Sequence, residues 1–336
     1  MKSPITGKEM KRMVKEEELV FRKETFTILF NYYFCEESNE IFTDEALDTI
    51  NTNQAYNQYR AKYNLPFPDE IREIREQYDL SAAKMADIFG FGTNVYRHYE
   101  SGEVPSISNA RLIQLSKDPA EFRKLIFASN ALKGNVLEQV LQKINILLSD
   151  QANFNLSYLP NYLMTGMSNG RASIYTGYKT PSLKKFIEMV VYFVTHIKPW
   201  KTKLNKLLFY TDFFHYKQFG YSITGAEYMA IQMGPVPKNF SSIFEYASTN
   251  EIINVAFTEF PNGGIGEQFS ANHQHAFDST VFSPEELTTL EMVLKKFKNV
   301  STSDIIKISH EETAWLDNNH KKGEISYDYS FRLVHL

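Results

Sequence analysis

Ser3, Thr6, Cys35 and Ser38 form two pairs, each with a two-residue gap. That is the ligand spacing of a four-cysteine zinc knuckle pair, where anionic thiolates supply most of the metal affinity. Only Cys35 can become a thiolate. A neutral hydroxyl is a very poor substitute on zinc, so no metal is expected at these degenerate positions. A second set of polar groups lies in Asn94-Val95-Tyr96-Arg97-His98-Tyr99-Glu100. On a helix Tyr96 and Tyr99, three apart, pack inward, leaving Asn94, Arg97 and His98 outward. Asn pairs bidentately with adenine and Arg with guanine, which is the chemistry of a helix in the DNA major groove. Lys84 and Arg111 add cations able to meet phosphates. His273-Gln274-His275 has strand spacing that points both rings to one side, but no Cys or nearby His completes a metal set. His196, His215 and His310 come with no nucleophile motif or phosphate loop. No catalytic residue and no cofactor is therefore expected.

These side chains need elements to hold them. In Thr25 to Phe34 the even positions Phe26, Ile28, Phe30, Tyr32 and Phe34 are apolar, the period of a half-buried strand. Pro66-Phe67-Pro68 breaks the chain, and Asp69 is expected to cap a helix reaching Tyr78. Ser81 caps the next helix, with Leu80, Met85 and Ile88 toward the core. Phe91-Gly92 makes a turn, Thr93 caps a third helix, and Gly102 ends it. Helix, short glycine turn and helix is the DNA-binding arrangement. Leu132 to Leu148 has helical periodicity and reads as a spacer or dimerisation helix. The polar, Asn-rich stretch from Ser149 to Gly170 reads as a boundary. Beyond it, Ser182 caps a helix to about Ile197, and Thr202 to His215 forms another with a wide apolar face. Tyr228 to Gln232 is a short strand, Gly234-Pro235-Val236-Pro237 a rigid turn, and Phe240 to Tyr246 a further helix.

Two resemblances emerge from these residues. The knuckle spacing, the aromatic strand and the run from Leu47 to Leu125, including Asn53-Gln54-Ala55-Tyr56-Asn57-Gln58-Tyr59-Arg60, resemble the N-terminal half of MqsA-type antitoxins. Tyr96-Arg97-His98-Tyr99-Glu100-Ser101-Gly102-Glu103-Val104-Pro105 resembles the end of a Cro/repressor-like motif. By that resemblance Asn94 and His98 fall where the family reads bases; Arg is usual at the latter. The second resemblance lies in Lys203-Leu204, Asp212-Phe213, Thr224-Gly225, Tyr228, Gly234 to Pro237 and Ser309 to Trp315. These are similar to the SocA-like, or Panacea, antitoxin domain. The resemblance implies a mostly helical module that binds a protein toxin directly.

The expected fold is mainly α with a small β ribbon. Its parts are a degenerate zinc-ribbon-like domain over 1–65, a helix-turn-helix domain over 66–127, a helical connector over 128–165, and a toxin-binding domain over 166–336. The chain has 336 residues, a net charge of −4 and one cysteine. Region 66–127 carries eight Lys/Arg and ten Asp/Glu, so DNA binding must come from a local face. Charge is polarised further on. Residues 171–220 hold nine Lys/Arg against two acids, and residues 221–294 hold one Lys against nine acids. Lys206, Asp212, Tyr228 and Gln232 lie around that junction and are the candidate toxin contacts; the plainer reading of Asp212 is a bond within the domain. No run of ~18 apolar residues marks a membrane span. The function expected is a cytoplasmic, homodimeric antitoxin and not an enzyme. Its partners are a protein toxin and double-stranded operator DNA. The competing expectation is a stand-alone transcription regulator with a ligand-sensing C-terminal domain.

Overall fold

Two long strands open the fold. β1 (Lys11–Phe21) and β2 (Glu24–Cys35) pair antiparallel from Lys11↔Phe34 to Phe21↔Glu24. Arg22 and Lys23 join them with φ of 49° and 68°, as a two-residue type I′ turn demands. β3 (Glu40–Phe42) pairs with the end of β2. The computed structural model describes residues 1–152, 163–164, 170–261 and 263–336. Phe26 and Ile28 are buried on the expected face, but the alternation slips at the fully buried Asn31. The reason is α1 (Glu45–Tyr63), whose amide side chains serve β2 as a neighbouring strand would. Asn51 accepts from the Asn31 amide at 2.7 Å and donates to its carbonyl at 2.9 Å. Gln54 does the same for Leu29, at 2.8 and 2.9 Å. The backbone groups of a half-open strand edge are thus satisfied inside the protein.

Residues 55–159 form one compact unit, and residues 1–54 with 160–336 form another. In the first unit, α2 (Pro68–Glu76) begins earlier than the expected cap at Asp69. Proline fits the first helical turn because its missing N–H would be unpaired there. Phe67 occupies the cap, and Glu70 accepts its amide at 2.8 Å. α3 (Ala82–Phe89) is capped by Ser81 and ends at Gly90 in the left-handed region. α4 (Val95–Glu100) has Asn94, not Thr93, at its cap. α5 (Ile107–Leu115) and α6 (Pro119–Ser129) follow, then α7 (Gly134–Ala152). α7 was expected as a spacer or dimerisation helix. Its stripe Val140 and Ile144 is instead buried in the same core as Ile71, Met85, Tyr96 and Phe122. Lys143 of α7 also reaches Asp79 at 2.7 Å. The boundary expected over 149–170 lies mostly outside the described residues.

In the second unit, α8 (Leu183–His196) starts at the Ser182 cap as expected. α9 (Lys201–Phe219) is buried at every position from Lys203 to Tyr216. A helix covered all round is the axis of its domain and not an amphipathic surface element. β4 (Tyr228–Ile231) is central between β5 (Gly234–Pro237) and β8 (Glu324–Ile325). The expected rigid turn at Gly234 to Pro237 is therefore a strand. Two prolines are tolerated because β5 is the edge, where an N–H is not needed on the outer side. α10 (Phe240–Thr249) leads into the hairpin of β6 (Ile253–Glu259) and β7 (Ile265–Ala271). α11 (Pro284–Phe297), α12 (Thr302–His310) and the short α13 (Thr313–Leu316) complete the helices. The N-terminal ribbon belongs to this unit. Arg12 donates to the Lys217 carbonyl near the end of α9 at 2.9 Å, and β2 packs on the turn Tyr327–Arg332. Among the described residues no helix is long and apolar enough to cross a membrane.

Candidate functional site

The four knuckle positions do come together. Thr6 Oγ1 lies 3.3 Å from Cys35 Sγ, and Ser3 Oγ accepts the amides of Ile5 and Thr6. The polar surroundings that the Ser3, Ser38 and Thr6 hydroxyls give the buried Cys35 thiol draw it down to about 6. The zinc that the ribbon geometry implies does not fit this donor set. It offers one thiol and three neutral hydroxyls, where zinc needs anionic or imidazole ligands. Among the described residues no group of three or more His, Cys, Asp or Glu could hold a metal. Purified protein is expected to carry far less than one zinc per chain. Elemental analysis returning about one per chain would show that Cys35 has recruited other ligands.

The helix-turn-helix is rigid underneath and open above. Tyr96 and Tyr99 are buried, and their hydroxyls are engaged: Tyr96 donates to the Ile71 carbonyl at 2.8 Å, and Tyr99 accepts from Asn109 at 2.8 Å. Arg75 fastens α2 to α4 through Glu100 and to the Leu80 carbonyl. Asn94, Arg97 and His98 are exposed. The Arg97 carbonyl accepts from the Ser101 hydroxyl at 2.9 Å while its guanidinium makes no hydrogen bond or ion pair among the described residues, and His98 lies 3.5 Å from Glu103. Lys84 is exposed beside Asp87 at 3.6 Å, a surface pair of little energy that a phosphate would displace easily. Arg111 is different. Although exposed, it donates to the carbonyls of Tyr63 and Asn64 and to Gln114, which caps the end of α1. A phosphate contact there would cost those bonds.

The candidate toxin contacts are mostly interior. Lys206, Asp212 and Tyr228 each have no exposed surface, and only Gln232 is open to solvent. Charge type suggested a surface; the fold places these side chains at its axis. Asp212 accepts four bonds, from the amides of Ile223 and Thr224 at 2.8 and 2.9 Å, from the Thr224 hydroxyl and from the Tyr228 hydroxyl at 2.9 Å. Burial pushes its carboxyl up, and these donors pull it back. Lys206 donates to the Pro235 carbonyl at 2.8 Å, and burial lowers its amine to about 7. Gly234 makes room for it: a Cβ there would lie 2.6 Å from Lys206 Cε and 2.5 Å from Ser309 Oγ.

The histidines serve separate local roles. Residues 272–276 form a turn, so His273 and His275 do not share a strand face. His275 pairs with Glu188 at 2.8 Å while His273 is exposed. His196 bonds the Tyr192 carbonyl, and His215 bonds the Thr289 hydroxyl. His310 stacks on Trp315 with ring centres 3.8 Å apart, and Trp315 donates to the Ile231 carbonyl at 2.7 Å.

Residues 1–127 match the family model of the antitoxin component of bacterial toxin-antitoxin systems, MqsA. Residues 204–316 match that of the antitoxin SocA-like, Panacea domain. The chain joins an MqsA-like segment to a Panacea-like segment. Both matched families are antitoxins. The MqsA-like segment takes in the ribbon and the helix-turn-helix, and so spans both compact units. The Panacea-like segment runs from Leu204 in α9 to Leu316, and includes Asp212, Tyr228 and the His310–Trp315 stack. No curated protein matches the chain significantly in sequence.

Sequence reasoning missed three groups that hold these segments. Asn51 and Gln54 look like ordinary polar helix residues, and nothing local marks them as partners of β2. Glu312 is buried between the Tyr210 hydroxyl at 3.1 Å and the Val334 amide at 2.9 Å. Its one signal was its place inside the run Ser309 to Trp315 that carries the Panacea resemblance.

Proposed function

We propose that this protein is the antitoxin of a bacterial type II toxin–antitoxin pair. It neutralises a protein toxin by direct binding through residues 166–336 and represses its own promoter through the helix-turn-helix. It works in the cytoplasm as a homodimer and performs no catalysis. The observation that carries this reading is the conjunction of two antitoxin-type segments in one chain, one of which presents Asn94, Arg97 and His98 outward from a braced helix pair.

A two-fold protein imposes two-fold symmetry on its site, so the operator is a short inverted repeat. Arg97→Ala should weaken operator binding by roughly 1–3 kcal/mol, about 5- to 160-fold, if Arg97 reads a base. A gel-shift titration with the wild-type affinity retained would remove Arg97 from the reading set. The antitoxin role itself is tested by growth rescue, with the full chain co-expressed beside the small protein encoded next to it. Rescue supports the pair. Operator binding without rescue would favour a stand-alone regulator.

A further inference from the structure

Two hollows open side by side on the β6–β7 hairpin. One, of about 540 Å³, is walled by Trp200, Phe260 and Ile265. The other, of about 340 Å³, lies between α10 and the hairpin and is walled by Phe244, Phe257 and Phe269. Lys201 and Glu267 line both, and their ion pair at 2.7 Å forms the ridge between them. The base of the hairpin is firmly held. Phe269 is fully buried against Phe244, and Trp200 bridges to Gln268. Gly266 lets Trp200 and Phe260 lie directly on the strand, since a Cβ there would approach them to 2.8 and 2.6 Å.

The outer half of the hairpin is the opposite. Phe257 and Ile265 are each 71% exposed, and Phe260 is 40% exposed. The pairs Phe257↔Glu267 and Glu259↔Ile265 put these four side chains on one face, apolar and acidic groups alternating. The outer edge of β6 carries no strand among the described residues. Large apolar side chains clustered around hollows mark a surface that something else covers. Charge says what. From Asn239 to Leu294 the chain has eight acidic residues and no Lys or Arg. The acids on this surface are Glu245, Glu259 and Glu267. Among the described residues, the one cation lining either hollow is Lys201, already neutralised by Glu267.

We infer that this hairpin surface receives the toxin, through a segment with one bulky apolar side chain for each hollow and Lys or Arg beside them. The inference rests on the antitoxin reading above and gives it a location. Apolar anchors filling adjacent pockets supply the affinity, and the acidic rim steers a basic partner to them. A second copy of this chain would bring the same acids against one another, so the surface disfavours self-pairing.

The test uses the full chain and the small protein encoded beside it, purified separately. Phe257→Ser with Ile265→Ser touches only exposed side chains, so circular dichroism and operator binding should match wild type. Toxin affinity by titration calorimetry should fall about 30-fold or more. Glu245→Lys with Glu259→Lys should slow association about tenfold at low salt, an effect that disappears at high salt. If wild type binds and rescues growth but both double variants do so equally well, the location is wrong and the antitoxin reading stands. If wild type neither binds nor rescues, the antitoxin reading falls and the location with it. If the serine variant breaks a dimer while leaving toxin affinity intact, the surface belongs to self-association and the inference is overturned.

Discussion

Asp212→Ala should destabilise the C-terminal unit by about 4 kcal/mol, a large share of the ~5–15 kcal/mol that keeps an ordinary domain folded. The carboxylate of Asp212 is the common acceptor for two backbone amides, the Thr224 hydroxyl and the Tyr228 hydroxyl, all buried. Removing it strands four donors at once, each costing roughly 1–3 kcal/mol unless water enters the space. Asp212→Asn keeps one acceptor oxygen but brings two donors into a site already full of them, so it should lie between alanine and wild type. Urea denaturation followed by tryptophan fluorescence isolates the effect, because both tryptophans, Trp200 and Trp315, belong to the unit that contains Asp212. Operator binding should survive, since residues 55–159 form a core of their own. If Asp212 were instead a toxin contact, alanine would abolish rescue without moving the urea midpoint.

The second large effect is in pH. The Lys206 amine has an ordinary value of 10.5, and burial lowers it to about 7. Between those values the unfolded chain holds a proton that the folded chain lacks. Stability therefore rises with pH across that window and is lowest once Lys206 is charged, below about 7. A shift of that size corresponds to about 5 kcal/mol in order of magnitude. His215, lowered to about 3 by burial, acts in the same sense between that value and 6.5. The raised carboxyls of Asp212 and Glu312 act oppositely. Comparing wild type with Lys206→Met cancels these other groups. Methionine keeps the length of the chain, removes the charge, and leaves only the Pro235 carbonyl without its donor. The variant should be more stable than wild type at pH 6 by several kcal/mol. That advantage should shrink or reverse by pH 10. Parallel stability curves for the two proteins would show that Lys206 is neutralised in some other way.

The elements held by local chemistry were legible in the sequence. Ser81 and Ser182 cap helices because their hydroxyls meet free amides a few residues on, whatever lies elsewhere in the chain. The inward turn of Tyr96 and Tyr99 and the outward turn of Arg97 follow from helical spacing alone. What was not legible depends on distant partners. Lys206 looked like a surface residue because its type usually is, whereas for Asp212 a bond within the domain was already in view beside the toxin contact. Only the closing of β4, β5 and the loop at Ser222–Gly225 around α9 buries them. The apolar stripe of α7 was visible, but not whether a second chain or its own helix-turn-helix would cover it. The bond from Arg12 to the Lys217 carbonyl joins residues 205 apart, beyond any local rule. Pro235 and Pro237 argued for a turn, and only the strand order reveals that they sit on an edge.

Residues 1–54 and 160–336 share a unit, while the intervening 55–159 make another. This split sets a timetable on the ribosome. The ribbon emerges first, yet its partners near Lys217 follow about 10–40 s later at ordinary synthesis rates of ~5–20 residues per second. An isolated hairpin is marginal in water, so the ribbon waits unfinished. The intervening unit has its whole core in hand long before. On the reading proposed above, each molecule is able to grip its operator before it is able to hold a toxin. A message cut short after about residue 159 would yield a repressor with no antidote activity.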